Sequence, residues 1–123
     1  MKRSIIPDMD WHVVFYMDNG GNEPVKDFIL DQSDGAIAEI IHVLKLLREF
    51  NITLGIPYVD KIGPSGVREL RIKHSSDIYR IYFFAHTGRK FVLLHAIKKK
   101  RSKISQNDVR LAIDRMNNYK GRC

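Results

Sequence analysis

Glu69, Arg71 and Lys73 fall at alternate positions of one run, and Arg80 interrupts a second run, Asp77 to Ala85 (DIYRIYFFA), that is otherwise dense in β-forming residues. Alternate residues of a strand share a face at intervals of about 7 Å, so two cations and a carboxylate stand side by side. A cation inside an apolar strand is costly unless it is paired or aimed at an anion. Arg80 is therefore either the partner of a structural carboxylate, with Glu69 on the neighbouring strand as the candidate, or a ligand for phosphate. Lys98 and Lys99 close the next run and, if the strands are neighbours, converge on the same face. A converging set of guanidinium and ammonium groups holds phosphate, whereas the bland reading of Lys98, Lys99, Lys100, Arg101 and Lys103 is a solvated basic loop.

These residues belong to a wider charge imbalance. Val67 to Lys103 holds eleven Lys or Arg residues, Arg68 among them, against Glu69 and Asp77, a formal +9 that leaves −2 for the rest of a chain of net charge +7. A basic face concentrated on a small sheet is the footprint of a polyanion, most commonly nucleic acid.

Other chemistries find less support. The histidines at 12, 42, 74, 86 and 95 show no metal-ligand spacing, so no metal site and no cofactor are expected. His95 reads as a hydrogen-bonded strand histidine whose nearness to Lys98 leaves a catalytic role open. No Gly-x-Ser-x-Gly or phosphate-cradling glycine motif occurs. Trp11, Tyr79, Tyr82, Phe83 and Phe84 read as core.

The elements that must position this set follow from periodicity. Trp11 to Met17 is a strand ending at the turn formers Asp18 to Asn22. Pro24 opens a short helix to about Gln32, and Ser33-Asp34-Gly35 separates it from a longer one whose apolar stripe is Ile37, Ile40, Ile41, Leu44, Leu47 and Phe50. Residues 51–66 hold two prolines and three glycines without a period and read as a loop. Three strands follow, Val67 to Lys73, Asp77 to Ala85 and Lys90 to Ile97, as an antiparallel meander. Ser105 and Asp108 resemble a cap for a final helix striped by Val109, Ala112, Ile113 and Met116. The expected fold is α+β in the order βααβββα, a small antiparallel or mixed sheet with an αα-hairpin packed on it and a C-terminal helix. At 123 residues one domain over 1–123 suffices. The lone Cys123 permits no intrachain disulfide, no apolar run is long enough for a membrane span, and the first residues lack a secretory h-region, so a cytoplasmic location is expected.

With the elements placed, Glu-Leu-Arg (69–71), Asp-Ile-Tyr-Arg (77–80), Leu-Leu-His-Ala (93–96) and Lys-Lys (98, 99) resemble the RelE/HigB-like toxins of bacterial and phage type II toxin-antitoxin systems, in their phage-derived HigB-like branch. The resemblance implies a ribosome-dependent mRNA endoribonuclease that inhibits translation, cutting without metal by attack of the ribose 2′-OH on the adjacent phosphate. It further implies inhibition by a cognate antitoxin, in the HigB case a HigA-like helix-turn-helix protein. By the same resemblance Arg80 contacts the scissile phosphate, Arg71 and Lys73 stand where further phosphate ligands or a basic residue are placed, and Lys98 or Lys99 is the cation after the last strand. From the concentration of charge, Arg68, Lys73, Lys100, Arg101 and Lys103 are the candidate RNA-binding residues. Several relatives carry Tyr or His near the start of the last helix, where this chain has Ser105. Glu69, His95 or a lysine is left to move the proton. The alternative is a non-catalytic RNA-binding or protein-binding module of the same fold.

Overall fold

A computed structural model describes residues 11–55, 58–99 and 105–122. Its elements are β1 (His12–Phe15), α1 (Pro24–Leu30), α2 (Asp34–Phe50), a 3-10 turn (Asn51–Leu54), β2 (Val59–Lys61), β3 (Arg68–His74), β4 (Asp77–His86), β5 (Lys90–Lys99) and α3 (Gln106–Gly121). The class is the expected α+β, and the order gains one short strand, β2, inside the segment read as a loop. Three residues between glycines and prolines are too few to show a period, and β2 exists because β3 offers it an edge.

The five strands form one mixed sheet in the order β1-β5-β4-β3-β2. β1 runs parallel to β5, and every other pair is antiparallel. Two-residue and three-residue turns, with Ser75, Gly88 and Arg89 at positive φ, join β3 to β4 and β4 to β5.

Each sheet face carries its own core. On one side α1 and α2 bury Val25, Ile29, Ile40, Val43 and Leu47 against Leu70, Ile72, Ile81, Phe83, Phe91 and Leu93. α2 starts where Ser33 accepts a hydrogen bond from the Ala36 amide (3.3 Å), and Asp34 and Arg48 suit its two dipole ends. The stripe of α2 is rotated from the expected one: Ala36 and Val43 are buried, while Ile41 and Phe50 are exposed at 43% and 47%. On the other side α3 places Val109, Ala112 and Met116 on Val67, Tyr82, Phe84, Val92 and Leu94. The Tyr16 hydroxyl donates to Asn118 Oδ1 (2.8 Å), with the Arg115 and Arg122 guanidiniums over its ring at 5.7 and 5.3 Å, and these contacts fasten α3 to the strand edge. Among the described residues no helix is long and apolar enough to cross a membrane.

A single irregularity decides which side chains of β5 meet α3. Tyr82 pairs with His95 but Phe83 pairs with Leu93, so Leu94 is an extra residue, a β-bulge. Leu93 faces the α1/α2 core, and both Leu94 and His95 face α3. Arg115 of α3 donates to the Leu94 carbonyl at 2.8 Å, giving the bulged residue a partner outside the ladder.

Candidate functional site

The register of β3, β4 and β5 lays out a grid on the α3 side of the sheet. Lys73, Ile78 and Lys99 form one row, Arg71, Arg80 and Ile97 the next, and Glu69, Tyr82 and His95 the third. Rows are about 7 Å apart along the strands, and β3 and β5 are roughly 10 Å apart across β4.

Glu69 organises the arginines. It is 1% exposed, as is Arg80, and its Oε2 lies 2.5 Å from Arg80 Nη1, while Oε1 lies 3.0 Å from Arg71 Nε. Arg71 reaches on to Asp60 of β2, opposite Glu69, at 3.4 Å. Like cations opposite each other on neighbouring strands repel, and Arg71 and Arg80 are such a pair. The carboxylate between them holds both in place. Of the two, Arg71 reaches solvent, its side chain 28% exposed. The structural pairing read from strand alternation is therefore present, and with both oxygens engaged Glu69 is a positioning group for the arginines.

A second cluster sits one strand over. His95 Nε2 lies 2.8 Å from Oδ1 of Asp108, in the first turn of α3, and Lys99 Nζ lies 3.4 Å from Oδ2. A carboxylate only accepts, so Nε2 carries the proton and in the neutral ring Nδ1 is the acceptor. Burial works to raise the Asp108 pKa, but the hydrogen bonds and positive charges of His95 and Lys99 outweigh it and hold the carboxyl below its ordinary range. The ring of His95 stacks on Tyr82, with centroids 5.9 Å apart and planes 13° from parallel. Tyr82 is fully buried, and its hydroxyl has no hydrogen-bond partner among the described residues. Burial, reinforced by the negative charges of Glu69 and Asp108 and opposed by Arg80, pushes it up to about 12.

The predicted site residues divide. Arg71, Lys73, Arg80, Lys99, Glu69 and His95 share the α3 side. Lys98 does not: β5 runs to Lys99, beyond the expected end at Ile97, and consecutive strand residues point to opposite faces, so Lys98 stands opposite Tyr79 on the helical-hairpin side. Arg68, opposite Phe83, is on that side too. Lys100, Arg101 and Lys103 lie outside the described residues. Ser105 precedes α3 but makes no side-chain cap, and the carboxylate of Asp108, read as its capping partner, is engaged by His95 and Lys99. Asp108, Asp60 and Tyr82 are the members missing from the sequence reading. Asp108 stands nine residues after the basic strand end at Lys99, in the first turn of α3, and the capping pattern with Ser105 offers its carboxylate a local use, so no local signal ties it to His95.

Fold and site together define a small α+β domain whose sheet carries paired arginines and a histidine-carboxylate pair on one face. Residues 27–117 match the family described as Phage derived protein Gp49-like (DUF891), and since this covers most of the chain, from α1 into α3, the chain belongs to that family. The family is of the RelE/HigB-like toxin type, in agreement with the resemblance read from residues 67–105, and it implies an antitoxin as partner. A comparison with curated proteins finds no match.

Proposed function

We propose that the protein is an endoribonuclease toxin that cleaves mRNA on the ribosome and is neutralised by a cognate helix-turn-helix antitoxin. The observation that carries this reading is the placement of a carboxylate-braced arginine pair and a carboxylate-oriented histidine on one sheet face, a strand apart. Arg71 and Lys73 hold the scissile phosphate, and Arg80 adds its charge from behind while fixing Glu69. His95 Nδ1 takes the proton of the ribose 2′-OH, with Asp108 holding the tautomer and steadying the imidazolium, as a triad carboxylate does. The 2′-oxygen bonds to phosphorus, the cations stabilise the added negative charge, and the P–O5′ bond breaks. The leaving 5′-oxygen takes a proton from the Lys99 ammonium, and the products are a 2′,3′-cyclic phosphate and a 5′-OH.

The test is expression of wild type, Arg71→Ala and His95→Ala at equal protein level, with growth and primer extension on cellular mRNA as readouts. Wild type should arrest growth and leave discrete new 5′ ends within translated regions, and both variants should lose them. Arrest without new ends would replace the nuclease with a non-catalytic binding module. Equal cleavage by all three would remove these residues from the chemistry.

A further inference from the structure

Beside the cationic face, a cavity of about 290 Å³ opens between the outer edge of β3 and α2, lined by Glu39, Val43, Tyr58, Arg71 and Lys73. That is close to the lower end of small-ligand clefts, roughly 300 to 1,000 Å³. Val43 is buried and gives the cavity an apolar wall, and Tyr58 adds a half-buried aromatic ring. Glu39 and Lys73 carry opposite charges and line one cavity, yet neither forms an ion pair with the other or with any other described residue. Arg71 belongs to both places, lining the cavity and pairing with Glu69 on the grid.

We propose that this cavity receives a guanine base of the RNA strand whose phosphate lies on Arg71 and Lys73. The substrate class rests on the RNA-cleaving reading of the site, while the base identity rests on Glu39. A carboxylate offers acceptors only. Guanine presents two adjacent donors, N1–H and the N2 amino group, to such a pair of oxygens. Adenine and cytosine set a ring acceptor beside their amino donor, and uracil flanks its single N–H with carbonyl oxygens, so each brings an acceptor against the carboxylate. Tyr58 supplies the aromatic surface on which single-stranded bases stack, and Val43 closes the apolar side.

The experiment is isothermal titration of the purified protein with the four nucleoside 5′-monophosphates and with inorganic phosphate, for wild type and Glu39→Gln. Wild type should bind GMP roughly tenfold or more tighter than UMP, the discrimination typical of a bidentate base contact. Glu39→Gln should erase that preference and leave inorganic phosphate binding unchanged. Equal affinity for all four nucleotides, or a GMP preference that survives in Glu39→Gln, overturns the proposal. Because the titration involves no cleavage, the two readings fail separately. Cleavage without GMP preference removes the base site alone, and GMP preference without cleavage retains the base site and removes the nuclease.

Discussion

Replacing Glu69 by Gln keeps the side chain's shape and removes its charge while Arg80, 1% exposed, retains its own. Neutralising one partner of a buried ion pair costs roughly 3 to 5 kcal/mol, because the remaining charge is left in a poorly solvating interior. The second half of the network, to Arg71, is partly exposed and adds about 0 to 1 kcal/mol. A domain's whole stability is about 5 to 15 kcal/mol, so Glu69→Gln should consume a large share of it. Substituting both partners, Glu69→Gln with Arg80→Met, removes the uncompensated charge and should recover most of the loss. Urea unfolding followed by fluorescence of Trp11, stacked on Phe91 at 4.4 Å, measures all four corners of this cycle. A Glu69→Gln unfolding free energy within about 1 kcal/mol of wild type at unchanged slope would refute the reasoning, as would a double variant no more stable than the summed singles imply.

Tyr82→Phe removes a buried hydroxyl that has no partner among the described residues, and should leave stability unchanged or raise it by up to about 2 kcal/mol in thermal unfolding. With its pKa raised from 10.0 to about 12, wild-type Tyr82 favours the fold fully below pH 10 and ceases to do so as pH rises through 12, so wild type should lose more stability across that window than Tyr82→Phe. Asp108 has the opposite sign: its contribution is present above the ordinary 3.8 and is lost as pH falls through its lowered folded value, so Asp108→Asn should show a shallower acid-unfolding curve by circular dichroism. In the cleavage assay Lys99→Ala should cut activity by about a hundredfold to ten-thousandfold, the range for a proton-transfer group, whereas Lys98→Ala on the opposite face should stay near wild type. Equal losses in the two would contradict the face assignment.

Much of this arrangement was legible in local pattern. Alternation alone places Glu69, Arg71 and Lys73 on one face and makes Glu69 the natural partner of Arg80, because pairing within a meander is nearly dictated by its short turns. What alternation cannot supply is parity across a bulge. Counting by twos from Leu93 assigns His95 and Lys99 to the α1/α2 side, and only the extra residue at Leu94 turns them toward α3. The His95 to Asp108 pair was invisible for a different reason: it joins a strand to a helix through a path that no periodicity describes, and the capping pattern at Ser105 and Asp108 offered a plausible local competitor. The rotated stripe of α2 has a simpler origin, since Ile41 and Val43 are both apolar and only packing chooses between them.

The parallel pairing of β1 with β5 has a consequence for synthesis. His12 must meet Lys90, and Phe15 must meet Leu93, so the edge of the sheet closes only across a loop spanning most of the chain. Asp108 comes later still, on α3. As the chain leaves the ribosome, the helical hairpin and the first strands emerge well before the carboxylate that orients His95. The nascent polypeptide thus carries basic strands without an assembled site, and the histidine-carboxylate pair is complete only once α3 has been made and has docked.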